Sequence, residues 1–235
     1  MIEPVEELPE EGGRSLEDGI GIALSGGGYR AMMFHLGSLL RLVEADVIEQ
    51  AARISSVSGG SITSAKLALE LHRVGGREDY LEYVAKPIRQ LASTTIDGPS
   101  ILSGVMLPGS VADRIADRYD RILFHGATLQ DLPDQQRFVI NATNVETGSL
   151  WRFMKPAMRD YKIGEILKPT LRVAEAVTAS SAFPPVLSPY TLDVSAEDFA
   201  RVEPGVDPAF LEDVTLTDGG VYDNLGRETV YKRYK

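Results

Sequence analysis

Two neighbouring stretches of this chain follow one plan. From Ile20 the residues "IGIALS" form a short apolar run that stops at three glycines, and "YRAMMFHLGSLLRLVEADVI" follows, in which Met33, Leu36, Leu39, Leu40 and Val43 recur at helical spacing. "ARISSV" then stops at "SGGS" and continues into a second helical stretch carrying Ile62, Ala65, Leu69 and Leu71. Strand, glycine turn and helix, twice in succession, implies strands that run parallel and a sheet covered by helices on both faces.

The rest of the chain fits around that unit. Helical patterns run from Asp79 to about Leu91 and from Val111 to Leu123, and the stretch between, Thr94 to Gly109, has loop chemistry mixed with apolar residues. "RFVINATNV" reads as a strand, with "ETGS" turning into a hairpin partner, "LWRFM". "TLRVAEAVTASSAF" is helical and ends at "PPVLSP", because proline cannot continue the hydrogen-bond ladder. A last strand, "EDVTLT", runs into "DGGVYDN". The expected fold is a three-layer α/β/α sandwich with a mostly parallel central sheet, and 235 residues suffice to bury one large core. Residues 1–18, acidic and proline-bearing, are expected to form a flexible arm, with residues 19–235 as the domain. The tail "RETVYKRYK" reads as the start of an unfinished helix, as in a chain cut from something longer.

Charge and composition exclude several functions. A formal net charge of −10 argues against nucleic-acid binding, which needs a surplus of lysine and arginine to neutralise phosphates, and against adhesion to anionic membranes by charge alone. There is no cysteine, hence neither disulfide nor thiolate metal site. With no signal-peptide pattern and no membrane-length apolar run, the expectation is a soluble cytoplasmic protein, at most peripheral at membranes.

Three features carry chemistry. In "SVSGG", Ser58 sits between a β-branched run and a helix, close to the G-x-S-x-G turn that exposes a serine hydroxyl at a sheet edge, with Ser56 where the pattern has its first glycine. Ser58 as a plain helix N-cap is the competing reading. "SGGGYRA" offers the N–H groups of Gly26, Gly27 and Gly28, with Arg30 nearby, to an anion: a phosphate, the oxyanion of an acyl intermediate, or none if the glycines only make a turn. The loop lacks P-loop lysine and hydroxyl residues, which weakens the nucleotide reading. In "LTDGG", Asp218 ends an apolar strand at the same sheet edge, where an ordinary Asp-Gly turn is the alternative. His35 and His72 fall inside helices and His125 in a helix-end context, so a carboxylate is the better candidate for the base that activates Ser58.

Together the three features, in this order, resemble the patatin-like phospholipase family, with its G-G-G-x-R/K-G oxyanion loop, G-x-S-x-G nucleophile and D-G-G/A aspartate. "ATNVETGSLWRF" and "AVTASSAFPPVLSP" look like that family's middle strand and the helix leading to its proline-rich segment, so the resemblance runs from about Gly19 to Gly226. It implies Ser58 as nucleophile, Asp218 as its base, the N–H groups of Gly26, Gly27 and Gly28 as the oxyanion hole, and neither metal nor cofactor. The Gly59 N–H is a further donor on the geometry of the turn, and Arg30 would orient the loop or attract an anionic head group. Ala31 and Ser56 depart from the family pattern, small for small. The implied activity is hydrolysis of acyl lipids, and the apolar segment 100–111 is the expected wall or membrane contact. A catalytically silent or partner-gated module on the same fold is the alternative.

Overall fold

The computed structural model describes residues 19–93, 111–184 and 189–231. The N-terminal arm, the apolar segment 100–111 apart from its last position, and most of "PPVLSP" lie outside them.

The two strand–turn–helix units form as their sequence pattern requires. Strand β1 (Ile20–Leu24) leads into helix α1 (Gly28–Glu44), and β2 (Ala51–Val57) into α2 (Gly59–Glu70). β1 pairs parallel to β2, and β2 parallel to β3 (Arg137–Asn144). β2 is buried on both faces, as a central strand must be. Its even residues face α2, since the Ser61 hydroxyl of that helix donates to Ser56 Oγ. Its odd residues face the turn before the last helix, where Gly226 packs beside Ser55 and Val57. Helices therefore cover both faces.

α1 buries Met32, Leu36, Leu39 and Val43 along one stripe and leaves Met33 and Phe34 exposed. α2 is buried all round from Gly59 to Ala68, which its run of glycine, serine and alanine permits by letting neighbours approach closely. Leu69 and Leu71, read as core from their spacing, are only partly buried at its end.

The described residues between α2 and β3 include α3 (Arg77–Tyr80), a π-helical turn (Leu81–Ala85), α4 (Lys86–Ser93), and α5 (Val111–Tyr119) with a second π turn (Asp120–Phe124). The first π turn precedes Pro87, whose missing N–H and bulky ring disrupt α-helical bonding to the preceding turn.

Among the described residues parallel pairing is confined to β1, β2 and β3, and every other strand pair is antiparallel, so the sheet is mixed. β4 (Ser149–Phe153), β5 (Ala157–Asp160), β6 (Gly164–Leu167) and a short strand at Arg201–Val202 continue the sheet from β3 by antiparallel pairs. Tight turns such as "ETGS" leave no room for the crossover that a parallel pair needs. Taking the strands in chain order, β7 is Tyr190–Thr191, β8 is Arg201–Val202 and β9 is Thr215–Asp218. α6 (Val173–Ser180) precedes β7, and α7 (Gly220–Asp223) and α8 (Arg227–Tyr231) follow β9. No described helix is long and apolar enough to cross a membrane.

The pairing of β9 places the site. β3 outruns β2: Val57, the last residue of β2, lies opposite Asn141, which leaves Ala142, Thr143 and Asn144 with a free edge on that side. β9 fills it from the other direction, with Asp218 opposite Ala142. The ends of β2 and β9 thus meet head to head across adjacent positions of β3.

Candidate active site

Ser58 follows β2 with φ 51° and ψ −123°, a left-handed conformation that a residue with a Cβ adopts only at a cost of about 1–3 kcal/mol. That turn reverses the chain so sharply that the side chain stands at the end of the sheet while α2 begins at the next residue. Ser58 occupies the N-cap position of α2, yet its hydroxyl makes no capping bond. The hydroxyl instead lies beside the Asp218 carboxyl, close enough to stabilise its ionised form. The cap reading of this serine therefore fails on geometry.

Asp218 is held as firmly. Its own N–H donates to the Ala182 carbonyl at 3.1 Å, its carbonyl accepts from Thr143 Oγ1 at 2.9 Å, and its Oδ1 accepts from the Gly220 N–H at 2.7 Å. Burial pushes its carboxyl above the usual aspartate range, and the Gly220 N–H and Ser58 hydroxyl offset part of that shift by stabilising the ionised form. A buried carboxylate with a raised pKa, facing a serine hydroxyl, is a better base than an exposed one.

The glycine loop lies against the serine turn. Gly27 has φ 140°, open to glycine and strained for other residues, and it turns the chain into α1. Gly59 meets the loop so closely that a Cβ there would lie 2.0 Å from the Gly28 carbonyl oxygen. The two candidate donor sets, one from each strand–helix turn, are therefore packed backbone on backbone. One expected member drops out: the Gly26 N–H donates to the Asn224 carbonyl at 2.9 Å and is already committed. Gly27, Gly28 and Gly59 have no N–H partner among the described residues.

The histidines stand apart from Ser58. His35 is buried in α1, and its Nε2–H donates to the Ser25 carbonyl at 2.9 Å, tying down the residue that precedes the glycines. Burial lowers its pKa, favouring the neutral ring, and the bond to Ser25 offsets part of that. His72 and His125 are exposed. Arg30 is exposed on the first turn of α1, with no ion pair among the described residues.

A family model described as patatin-like phospholipase matches residues 22–231. The chain belongs to the patatin-like phospholipase family. No curated protein matches it in sequence. Among solved structures its fold is similar to human GIVD cytosolic phospholipase A2, with 14% identity and a TM-score of 0.53, over 90% of this chain and 43% of that one. The same human enzyme in complex with methyl gamma-linolenyl fluorophosphonate aligns with 18% identity and a TM-score of 0.50, over 84% of this chain and 34% of that one. VipD from Legionella pneumophila aligns with 17% identity and a TM-score of 0.44, over 89% of this chain and 47% of that one. The chain thus spans less than half the length of each, and at these identities the likeness is one of fold.

Two residues of this patatin-like site carry no signal in the three motifs. Ser180, at the end of α6, accepts the Ser58 N–H on its hydroxyl at 2.9 Å. Asn224, at the end of "DGGVYDN", holds Gly26 through its carbonyl. The only sequence hints are a serine pair closing a helix of small residues and an asparagine just past a glycine turn.

Proposed function

We propose that this chain is a serine hydrolase that cleaves carboxylic esters of lipids through Ser58 and Asp218. The observation that carries the reading is the placement of the Ser58 hydroxyl, on a strained turn at the end of β2, beside the buried Asp218 carboxyl, whose pKa is raised. Membership of a phospholipase family supports the same substrate class.

In the forward step Asp218 takes the hydroxyl proton as Ser58 Oγ attacks the ester carbonyl, and the carbonyl oxygen becomes an oxyanion. The N–H groups of Gly27, Gly28 and Gly59 donate to it; losing one such donor typically costs about 3 kcal/mol in the barrier. Collapse expels the alcohol, which leaves with the proton from Asp218, and the acyl chain stays on Ser58. Water then gives a proton to Asp218 as its oxygen attacks the acyl carbonyl, and release of the fatty acid returns the proton to Ser58. Hydride, electron and phosphoryl transfer have no part in this sequence.

The surroundings favour a water-insoluble acyl group. Tyr29, Met33 and Phe34 follow the glycine loop, Phe183 follows α6, and Val221 and Leu225 follow Asp218, all exposed. Phe34 is 70% exposed and Leu225 57%, values that suit contact with lipid better than with water.

The test is hydrolysis of p-nitrophenyl esters and labelling by a fluorophosphonate, the chemistry found bound to the human enzyme above. Wild type turns over and is labelled at Ser58, whereas Ser58→Ala and Asp218→Asn fold and lose turnover by several orders of magnitude. A folded wild type that neither hydrolyses nor is labelled, even with lipid present, would instead be a binding module.

A further inference from the structure

Ser180 stands where the two halves of the site meet, and none of the three motifs includes it. Its side chain is fully buried at the last position of α6. The hydroxyl accepts the backbone N–H of Ser58 at 2.9 Å and donates its proton to the Asn141 carbonyl at 2.6 Å, with Ser61 Oγ a further 2.9 Å neighbour. Its backbone carbonyl accepts the Gly219 N–H at 3.2 Å, and two residues on, the Ala182 carbonyl accepts the Asp218 N–H at 3.1 Å. One end of one helix therefore holds the nucleophile's backbone with a side chain and grips the aspartate's backbone on both sides with carbonyls.

The placement has a physical reason. Residue 58 has a left-handed φ, and a buried N–H in a turn of that kind has no ladder partner, so something must accept it or the strain goes uncompensated. Asn141, which takes the Ser180 proton, is the β3 residue opposite Val57, and its neighbour Ala142 lies opposite Asp218. The Ser180 hydroxyl thus ties the elbow to the same strand that positions the base.

We infer that Ser180 is a positioning residue of the reaction, setting the alignment of Ser58 Oγ on Asp218 by fixing the Ser58 backbone. This rests on the hydrolase reading above. Ser180 touches neither substrate nor the reacting atoms. Its loss lowers turnover by misaligning the pair and leaves substrate binding nearly unchanged.

The experiment compares wild type with Ser180→Ala, Ser180→Thr and, as a control for lost stability, Ser149→Ala, a buried serine on β4 that donates to Asp160. Active sites are titrated with the fluorophosphonate, and kcat per titrated site and KM are measured on p-nitrophenyl butyrate. Hydrogen exchange is followed in peptides covering residues 54–63 and 214–222. The expected result for Ser180→Ala is a fall in kcat per site of about 10- to 100-fold, the range that a displacement near 1 Å produces, with KM within about twofold. Exchange accelerates in both peptides beyond the Ser149→Ala control, and Ser180→Thr, which keeps the hydroxyl, recovers most of the rate. Wild-type kcat per titrated site in Ser180→Ala overturns the inference, as does a loss that only tracks the folded fraction. If wild type itself neither hydrolyses nor is labelled, the hydrolase reading falls, and exchange decides whether Ser180 holds the turn: no selective acceleration at 54–63 overturns that as well.

Discussion

Gly59→Ala should disable this site while Gly37→Ala, the same change in the same layer, should do the opposite to stability. At Gly59 an added Cβ would meet the Gly28 carbonyl oxygen at 2.0 Å and the Met32 nitrogen at 3.1 Å, where real Cβ contacts essentially never fall below 3.0 Å. Both obstacles are backbone, so no rotamer change relieves them, and α2 and the glycine loop must part by about 1 Å. Overpacking of this kind costs about 1–3 kcal/mol, which for a chain of this size lowers Tm by roughly 2–12 °C. The catalytic cost is larger. Gly28 and Gly59 are both proposed oxyanion donors, and a 1 Å misplacement costs about 100-fold in rate. Gly37, exposed on α1, has nothing within 4 Å of a would-be Cβ, so alanine there gains helix propensity and up to about 1 kcal/mol of stability without touching kcat. Thermal melts and ester turnover on both variants decide the matter. A Gly59→Ala protein with wild-type Tm and kcat would refute the close packing of loop on elbow, and equal destabilisation by both variants would show that the clash is not its cause.

Two further expectations concern Asp218 and the exposed apolar rim. Because burial raises the Asp218 pKa in the folded state, its contribution to stability is fully present below the unfolded pKa and is lost as pH rises through the folded pKa. Asp218→Asn should therefore melt higher than wild type at neutral pH although it is inactive, and the difference should vanish as pH falls below the ordinary aspartate range; a variant less stable than wild type at neutral pH contradicts the raised pKa. Wild-type kcat should in turn fall on the acid side with a midpoint above about 3.9, the ordinary aspartate value, as the base becomes protonated. For the rim, Phe34→Ser combined with Leu225→Ser should reduce hydrolysis of phospholipid vesicles about tenfold while leaving a soluble short-chain ester unaffected, since both side chains are largely exposed and neither bonds the dyad. An equal effect on both substrates would place those residues in the reaction rather than at the lipid surface.

How much of this could be read from the residues follows from which bonds are local. The β1–α1 and β2–α2 units were legible because apolar periodicity and glycine turns are written in contiguous sequence, and the Ser58 turn and the Asp218 strand end were legible for the same reason. The fate of the Gly26 N–H was not, because its acceptor, Asn224, comes from a turn at the far end of the chain. Ser180 is 122 positions from Ser58, and a serine ending a small-residue helix looks the same whether it caps, fills space or holds a nucleophile. Of the antiparallel strands beyond β3, β4 and β9 were legible, while β5, β6 and β8 are short and carry no periodic or turn signature of their own.

The least legible fact is also the one that makes a serine–aspartate pair feasible without histidine. A base on the next parallel strand would stand beside the nucleophile, one strand spacing of about 4.8 Å away, and a longer side chain would have to bridge the gap. Here β2 stops at Val57, β3 continues to Asn144, and β9 enters the vacated lane from the opposite direction and stops at Asp218. Two strand ends in one lane bring a short carboxyl side chain beside a serine hydroxyl. The length by which β3 exceeds β2 thus sets this juxtaposition, and Asn141, at the boundary, is held from both sides, by Ser55 and Ser56 through its Nδ2 and by the Ser180 hydroxyl at its carbonyl.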